Sequence, residues 1–206
     1  QIGDGIHRRQ LHVLKLIRHH IDVAREGAQR VHVVIARAGD TLAVSGGALG
    51  TAARGLAVLF ERGVDAAGTP IPLDASRLPA ADAAALAVQL RPTPPLAAGI
   101  AAARAGATAM MDISDGLALD ASRIAAMSGV SVDIFSAALG PNSAWALGGG
   151  EDHGLLATFP ANVQLPEEFR AIGRVLPAGG EAVRIDGRAW DGKPGWDPYR
   201  DWDERV

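Results

Sequence analysis

The chain contains no cysteine, which excludes disulfides, thiolate metal sites and cysteine nucleophiles. Aromatic residues are scarce, 4% of 206, so any helices must pack mainly through alanine and aliphatic side chains. No uninterrupted apolar run reaches the length of a membrane span, and the first residues lack the charged-then-apolar design of a secretion signal. Charge of one sign is also lacking. A formal net charge of −3 gives no electrostatic reason to expect nucleic acid as a partner. What remains is 48% hydrophobic and 21% charged, ordinary for a soluble globular protein and long enough to bury a full core. The expectation is a soluble cytoplasmic protein.

The stretch that carries chemistry is Met110-Met111-Asp112-Ile113-Ser114-Asp115-Gly116. An apolar segment runs into two carboxylates and a hydroxyl before a helical pattern begins at Leu117. A strand ending near Asp112 and a helix starting near Gly116 would put all three polar side chains in the turn between them, at the carboxyl edge of a sheet, where open α/β sheets place ligands. Two hard oxygen donors so close together suit Mg²⁺, which takes one or two carboxylates and completes its shell with water and phosphates. The competing explanation is that Ser114 or Asp115 caps the helix.

Taken in order, residues 7–25 have helical spacing and carry His7, His12, His19 and His20 as a solvated basic face, and Val31–Ile35 reads as a strand. Thr41–Ser45 is a second strand, and a glycine turn leads to a helix over Thr51–Arg62 with Leu56, Leu59 and Phe60 on its apolar side. Residues 64–82 form a surface connection and Ala83–Leu90 a helix. Arg91-Pro92-Thr93-Pro94 breaks that helix, because proline lacks an amide donor and restricts its predecessor. An alanine-rich helix follows to Ala105. The helix after Gly116 presents Leu117, Ala121, Ile124 and Met127, and Ser131–Phe135 is a strand. Residues 137–150 are loose and glycine-rich and deliver Glu151 and Asp152 to a strand at Leu155–Phe159. Residues 167–175 read as a short helix leading into a strand, and Ala182–Ile185 as a strand closed by an Asp186-Gly187 turn. Trp190, Trp196, Tyr199 and Trp202 gather on a tail that docks on the body or stacks on a flat ligand.

The run from Met111 to Val130, followed by Gly148-Gly149-Gly150-Glu151-Asp152, resembles the carboxyl-terminal half of thiamine-monophosphate kinase. The segment from Ala38 to Gly50, Arg91-Pro92-Thr93-Pro94, and Gly195-Trp196-Asp197-Pro198-Tyr199 agree with it in order. The resemblance implies an α/β (α+β) fold: a mixed sheet with packed helices, like the carboxyl-terminal domain of aminoimidazole ribonucleotide synthetase. Residues 36–206 would form that domain. Residues 1–35 would be an atypical amino-terminal helix and strand, with the family's aspartate-bearing amino-terminal domain largely missing and a homodimer therefore doubtful.

It also implies ATP- and Mg²⁺-dependent phosphorylation of thiamine monophosphate to thiamine diphosphate by a truncated or diverged member, through positioning and metal catalysis with no catalytic acid or base. Asp112 and Asp115 would hold Mg²⁺ and Ser114 would contact ATP. Glu151 and one of the tail aromatics, Trp196 or Tyr199, would meet thiamine monophosphate, Glu151 either by accepting from the aminopyrimidine or by offsetting the thiazolium charge. Asp120 and Asp152 are expected to make structural hydrogen bonds. The chain departs from the family at His32-Val33-Val34, where an arginine contacts ATP, at His153-Gly154 in place of tyrosine and glutamate, and at Pro198 in place of histidine. Two other readings stay open: a non-catalytic nucleotide- or phosphate-binding or assembly domain of the same fold, or another ATP-dependent synthetase of the superfamily.

Overall fold

Strands β1 (Thr41–Ser45), β2 (Ala109–Asp112), β3 (Val130–Ile134), β4 (Leu155–Phe159), β5 (Phe169–Pro177), β6 (Val183–Ile185) and β7 (Arg188–Ala189) form one mixed sheet in the order β2-β4-β1-β5-β3-β6-β7. The computed structural model describes residues 35–192 and 195–197. The expected helix over 7–25 with its histidine face, nearly all of the strand at 31–35, and Tyr199 and Trp202 lie outside them. All described residues belong to the unit spanning residues 34–206. Among them no helix is long and apolar enough to cross a membrane.

The register explains which residues meet. β4 runs antiparallel to both neighbours, with Val44 opposite Leu156 and Asp112 opposite Leu155. The carboxyl ends of β1 and β2 and the amino end of β4 therefore share one edge of the sheet. β1 is an interior strand, flanked by β4 and β5, and Leu42, Ala43 and Val44 are all buried on its two faces.

Five helices dress the sheet: α1 (Thr51–Arg62), α2 (Ala80–Leu90), α3 (Leu96–Arg104), α4 (Leu117–Ser128) and α5 (Ser143–Gly148). On one face Leu42, Val44, Leu156, Val132 and Ile172 pack with Leu117, Ala121, Ile124 and Leu147 of α4 and α5. On the other, Ala98 and Ala102 of α3 join Ala43, Ala157, Phe159 and Phe169, the last two rings edge to face at 5.3 Å. The alanine-based packing expected from the composition is the packing observed.

Four local expectations need correction. α1 buries Ala52, Gly55 and Val58 and leaves Leu56 and Phe60 38% and 68% exposed, because it meets α2 through its small residues. In α4 the packed stripe runs Leu117, Ala121, Ile124, Ser128; Met127 falls one position off it and is 64% exposed, while the Ser128 hydroxyl accepts from the Ala36 N–H at 3.2 Å. Residues 169–177 are strand where a short helix was expected to begin, since this segment supplies the partner for both β1 and β3. The loose stretch before Gly150 holds α5, whose first turn is capped by the Asn142 side chain accepting from Trp145 N–H at 3.2 Å.

Candidate functional site

At the shared sheet edge the two acidic motifs are joined by their backbones. Ile113 N–H donates to Gly154 O at 2.8 Å, His153 N–H to Ile113 O at 3.0 Å and Glu151 N–H to Ser114 O at 2.8 Å. This brings the backbone at Ile113 and Ser114 alongside that of residues 151–154. Trp196 joins them, its N–H donating to Asp115 O at 2.8 Å. The junction is tight and conformationally demanding. A side chain on Gly150, at φ +66°, would stand 2.8 Å from Ser114 O, and Glu151 and His153 hold φ of 58° and 49°, values costly for residues with a Cβ.

Neither Ser114 nor Asp115 caps α4. Its N-cap is Gly116, with no side-chain cap. The amides of Ser114 and Asp115 are instead bound from within the helix by Asp120, whose Oδ2 accepts from both at 3.1 Å. Asp120 is fully buried. Burial raises its pKa, opposed by the Asp115 amide and Arg123. Arg123 donates to Asp120 and to Asp115 Oδ2, each at 2.6 Å. Burial works against the Arg123 cation, but the two carboxylates outweigh it and hold its pKa above the ordinary value.

Asp152 is likewise structural, accepting from Gly50 N–H at 2.6 Å and Ala52 N–H at 3.0 Å, so the second motif caps α1. Burial pushes its pKa up, against those backbone donors. Both aspartates thus do the structural hydrogen bonding expected of them.

Asp112 is exposed, and its carboxylate has no hydrogen-bond or ion-pair partner among the described residues. Asp115 offers its second oxygen. This donor set fits a Mg²⁺ that keeps water and phosphate ligands, although among the described residues no three acidic or histidine side chains gather to enclose a metal. Beside the junction lies a cleft of about 370 Å³ lined by Ser45, Gly47, Thr51, Val88, Arg91, Thr93, Asp152 and Gly154. The Arg91-Pro92-Thr93 break therefore reaches the site. Two residues that the sequence did not single out belong to it as well: Arg123, the partner of Asp115, and Gln89, whose side-chain amide donates to Glu151 Oε2. Only the helical spacing from Asp120 to Arg123 gave a local signal for the first; the second arises from a contact across 62 residues.

No family model matches the chain. Curated relatives do. It is 41% identical over 131 residues to thiamine-monophosphate kinase of Mycobacterium tuberculosis, covering 56% of this chain and 38% of that protein. With the enzyme of Corynebacterium glutamicum it shares 37% identity over 176 residues, 78% of this chain and 49% of the relative. Among solved structures, AaThiL complexed with AMPPCP and TMP superposes with a TM-score of 0.63 at 33% identity, over 80% of this chain and 52% of that one. Thiamine monophosphate kinase from Stenotrophomonas maltophilia superposes with a TM-score of 0.59 at 28% identity, over 79% and 55%. The chain thus spans about half the length, or less, of the proteins it matches.

The mixed sheet and its helices define an α/β domain of the aminoimidazole ribonucleotide synthetase-like class. Within that class, over the part these matches cover, the chain is a thiamine-monophosphate kinase-like protein.

Proposed function

We propose that this domain takes part in transfer of the γ-phosphoryl group of ATP to the phosphate of thiamine monophosphate, with Mg²⁺, giving thiamine diphosphate and ADP. The observation that carries the proposal is the backbone junction setting Asp112, Ser114 and Asp115 against Glu151 and Trp196. In the reaction an acceptor phosphate oxygen forms a bond to the γ-phosphorus while the bridging oxygen to the β-phosphate leaves with its electron pair. Near neutral pH the attacking oxygen carries no proton, so no general base is needed, and positioning of two polyanions is the main difficulty. Mg²⁺ would supply charge neutralisation of the phosphates.

In this reading Asp112 and the unpaired oxygen of Asp115 hold the cation, and the Ser114 hydroxyl contacts ATP from a turn fixed by Asp120. Glu151 and Trp196 hold thiamine monophosphate, with Tyr199 as the other tail candidate. Chromatographic detection of thiamine diphosphate from thiamine monophosphate, ATP and Mg²⁺ tests it. Product is expected from the parent chain and a loss of at least a hundredfold in Asp112→Asn, since a metal ligand contributes several kcal/mol of transition-state stabilisation. No product from folded parent chain would overturn turnover.

A second reading, binding without turnover, is favoured by one observation: no third acidic side chain converges on Asp112 and Asp115 among the described residues. Calorimetric binding of thiamine monophosphate and of ATP with Mg²⁺, in a chain that forms no product, is its signature.

A further inference from the structure

Glu151 sits in an uncommon backbone conformation, φ 58°, with its N–H tied to Ser114 O. That fixes where its side chain starts. Its other end is held from a different element: the Gln89 amide, on the last turn of α2, donates to Glu151 Oε2. Gln89 is half-buried, and its stem is anchored by the α1–α2 crossing, where a Cβ on Gly55 would come within 2.7 Å of Gln89 Cβ. Chain neighbours of both residues border the cleft. Val88 and Arg91, on either side of Gln89, line it, as does Asp152, next to Glu151. At about 370 Å³ it has the size of a small-molecule site.

The chemistry of the pair is specific. A carboxylate only accepts, and a carboxamide has one acceptor and two N–H donors. With one Gln89 Nε2–H given to Glu151 Oε2, each of the two hydrogen-bonded side chains keeps an acceptor, Glu151 Oε1 and Gln89 Oε1, neither engaged among the described residues. A pair of acceptors on two side chains joined by a hydrogen bond complements a primary amine on a planar ring, which offers two N–H donors in one plane. A carboxylate meant chiefly to offset a diffuse cation would gain nothing from a neutral amide occupying one of its oxygens.

We propose that Gln89 is a positioning and specificity-determining residue that orients Glu151 so that the pair receives the exocyclic amine of an aminopyrimidine ring. This rests on the reading that Glu151 meets thiamine monophosphate, and adds which end of it and through which partner. Removing Gln89 frees Glu151 to rotate and deletes one acceptor, which weakens ligands that carry the amine and spares those that do not.

The test is titration calorimetry of the full chain with thiamine monophosphate and with its analogue bearing a ring carbonyl oxygen in place of the amine. For Gln89→Leu, thiamine monophosphate should bind about fivefold to tenfold more weakly, the scale of one hydrogen bond between neutral groups, with analogue affinity unchanged. Gln89→Glu, which sets a second carboxylate against Glu151, should lose more. Thermal melts of both variants establish that they fold. Equal losses for both ligands, or no loss for either, overturn the role of Gln89 while leaving the substrate reading intact. Failure of the parent chain to bind thiamine monophosphate overturns both.

Discussion

Arg123 reaches back along α4 to place its guanidinium 2.6 Å from the Asp115 carboxylate while holding the buried Asp120 at the same distance. One cation thus serves a structural aspartate and one of the two carboxylates assigned to Mg²⁺. Asp115 is shared between the fold and the site.

Replacing Arg123 by leucine separates those two duties. Asp120 would keep its two backbone donors but lose its charged partner, so the chain should be less stable by about 2 kcal/mol, the scale of a charge-assisted hydrogen bond. Asp115, relieved of a competing cation, should bind divalent ions more tightly. Chemical denaturation reads the first effect and Mn²⁺ titration the second. Weaker Mn²⁺ binding would mean that Arg123 holds Asp115 in its ligating position instead of competing for it.

Asp152 should behave differently in its two obvious variants. Asp152→Ala removes the acceptor for the first amides of α1 and should cost about 1–2 kcal/mol, as lost N-caps do. Asp152→Asn keeps an acceptor and removes the charge. Because burial raises the folded-state pKa above the ordinary 3.8 of an aspartate, the folded chain binds this proton more tightly than the unfolded one. The resulting stability is full below pH 3.8 and is lost as pH climbs through the raised value. Melting temperature followed over that interval should fall less steeply with rising pH in Asp152→Asn than in the parent.

Gly150→Ala tests the junction itself. The new methyl would stand 2.8 Å from Ser114 O at a left-handed φ of +66°, so the cost combines backbone strain with overpacking, about 1–3 kcal/mol. Binding of thiamine monophosphate should weaken together with metal binding, because the contact joins both motifs. Calorimetry with each ligand checks this, and loss of one without the other would show that the motifs act independently.

How far the sequence reached depended on the range of the interaction. The strand-to-turn-to-helix reading around Asp112–Gly116 was legible because apolar run, acidic turn and helical spacing are all local, and the sheet edge followed from it. The structural roles of Asp120 and Asp152 were also legible. Phe169–Pro177 was misread at its start because its strand character comes from pairing with β1 and β3, which local propensity does not encode. Leu56 and Phe60 look like a helix's buried face by size alone. Yet α1 meets α2 at Gly55 and buries Ala52 and Val58 beside it, and the large residues are left outside. The hydrogen bond between Gln89 and Glu151 spans 62 positions and has no signature in either neighbourhood. The site was legible as a set of motifs, but its supporting partners were not.

The claim on which the rest depends is that a divalent cation binds at Asp112 and Asp115 with the Glu151 motif close beside it. Paramagnetic broadening of backbone amide signals by substoichiometric Mn²⁺ measures this directly. Signals of residues 112–115 and 150–154 should broaden together at the same Mn²⁺ fraction, and Asp112→Asn should abolish both effects. Broadening confined to one motif, or centred elsewhere on the chain, would contradict it.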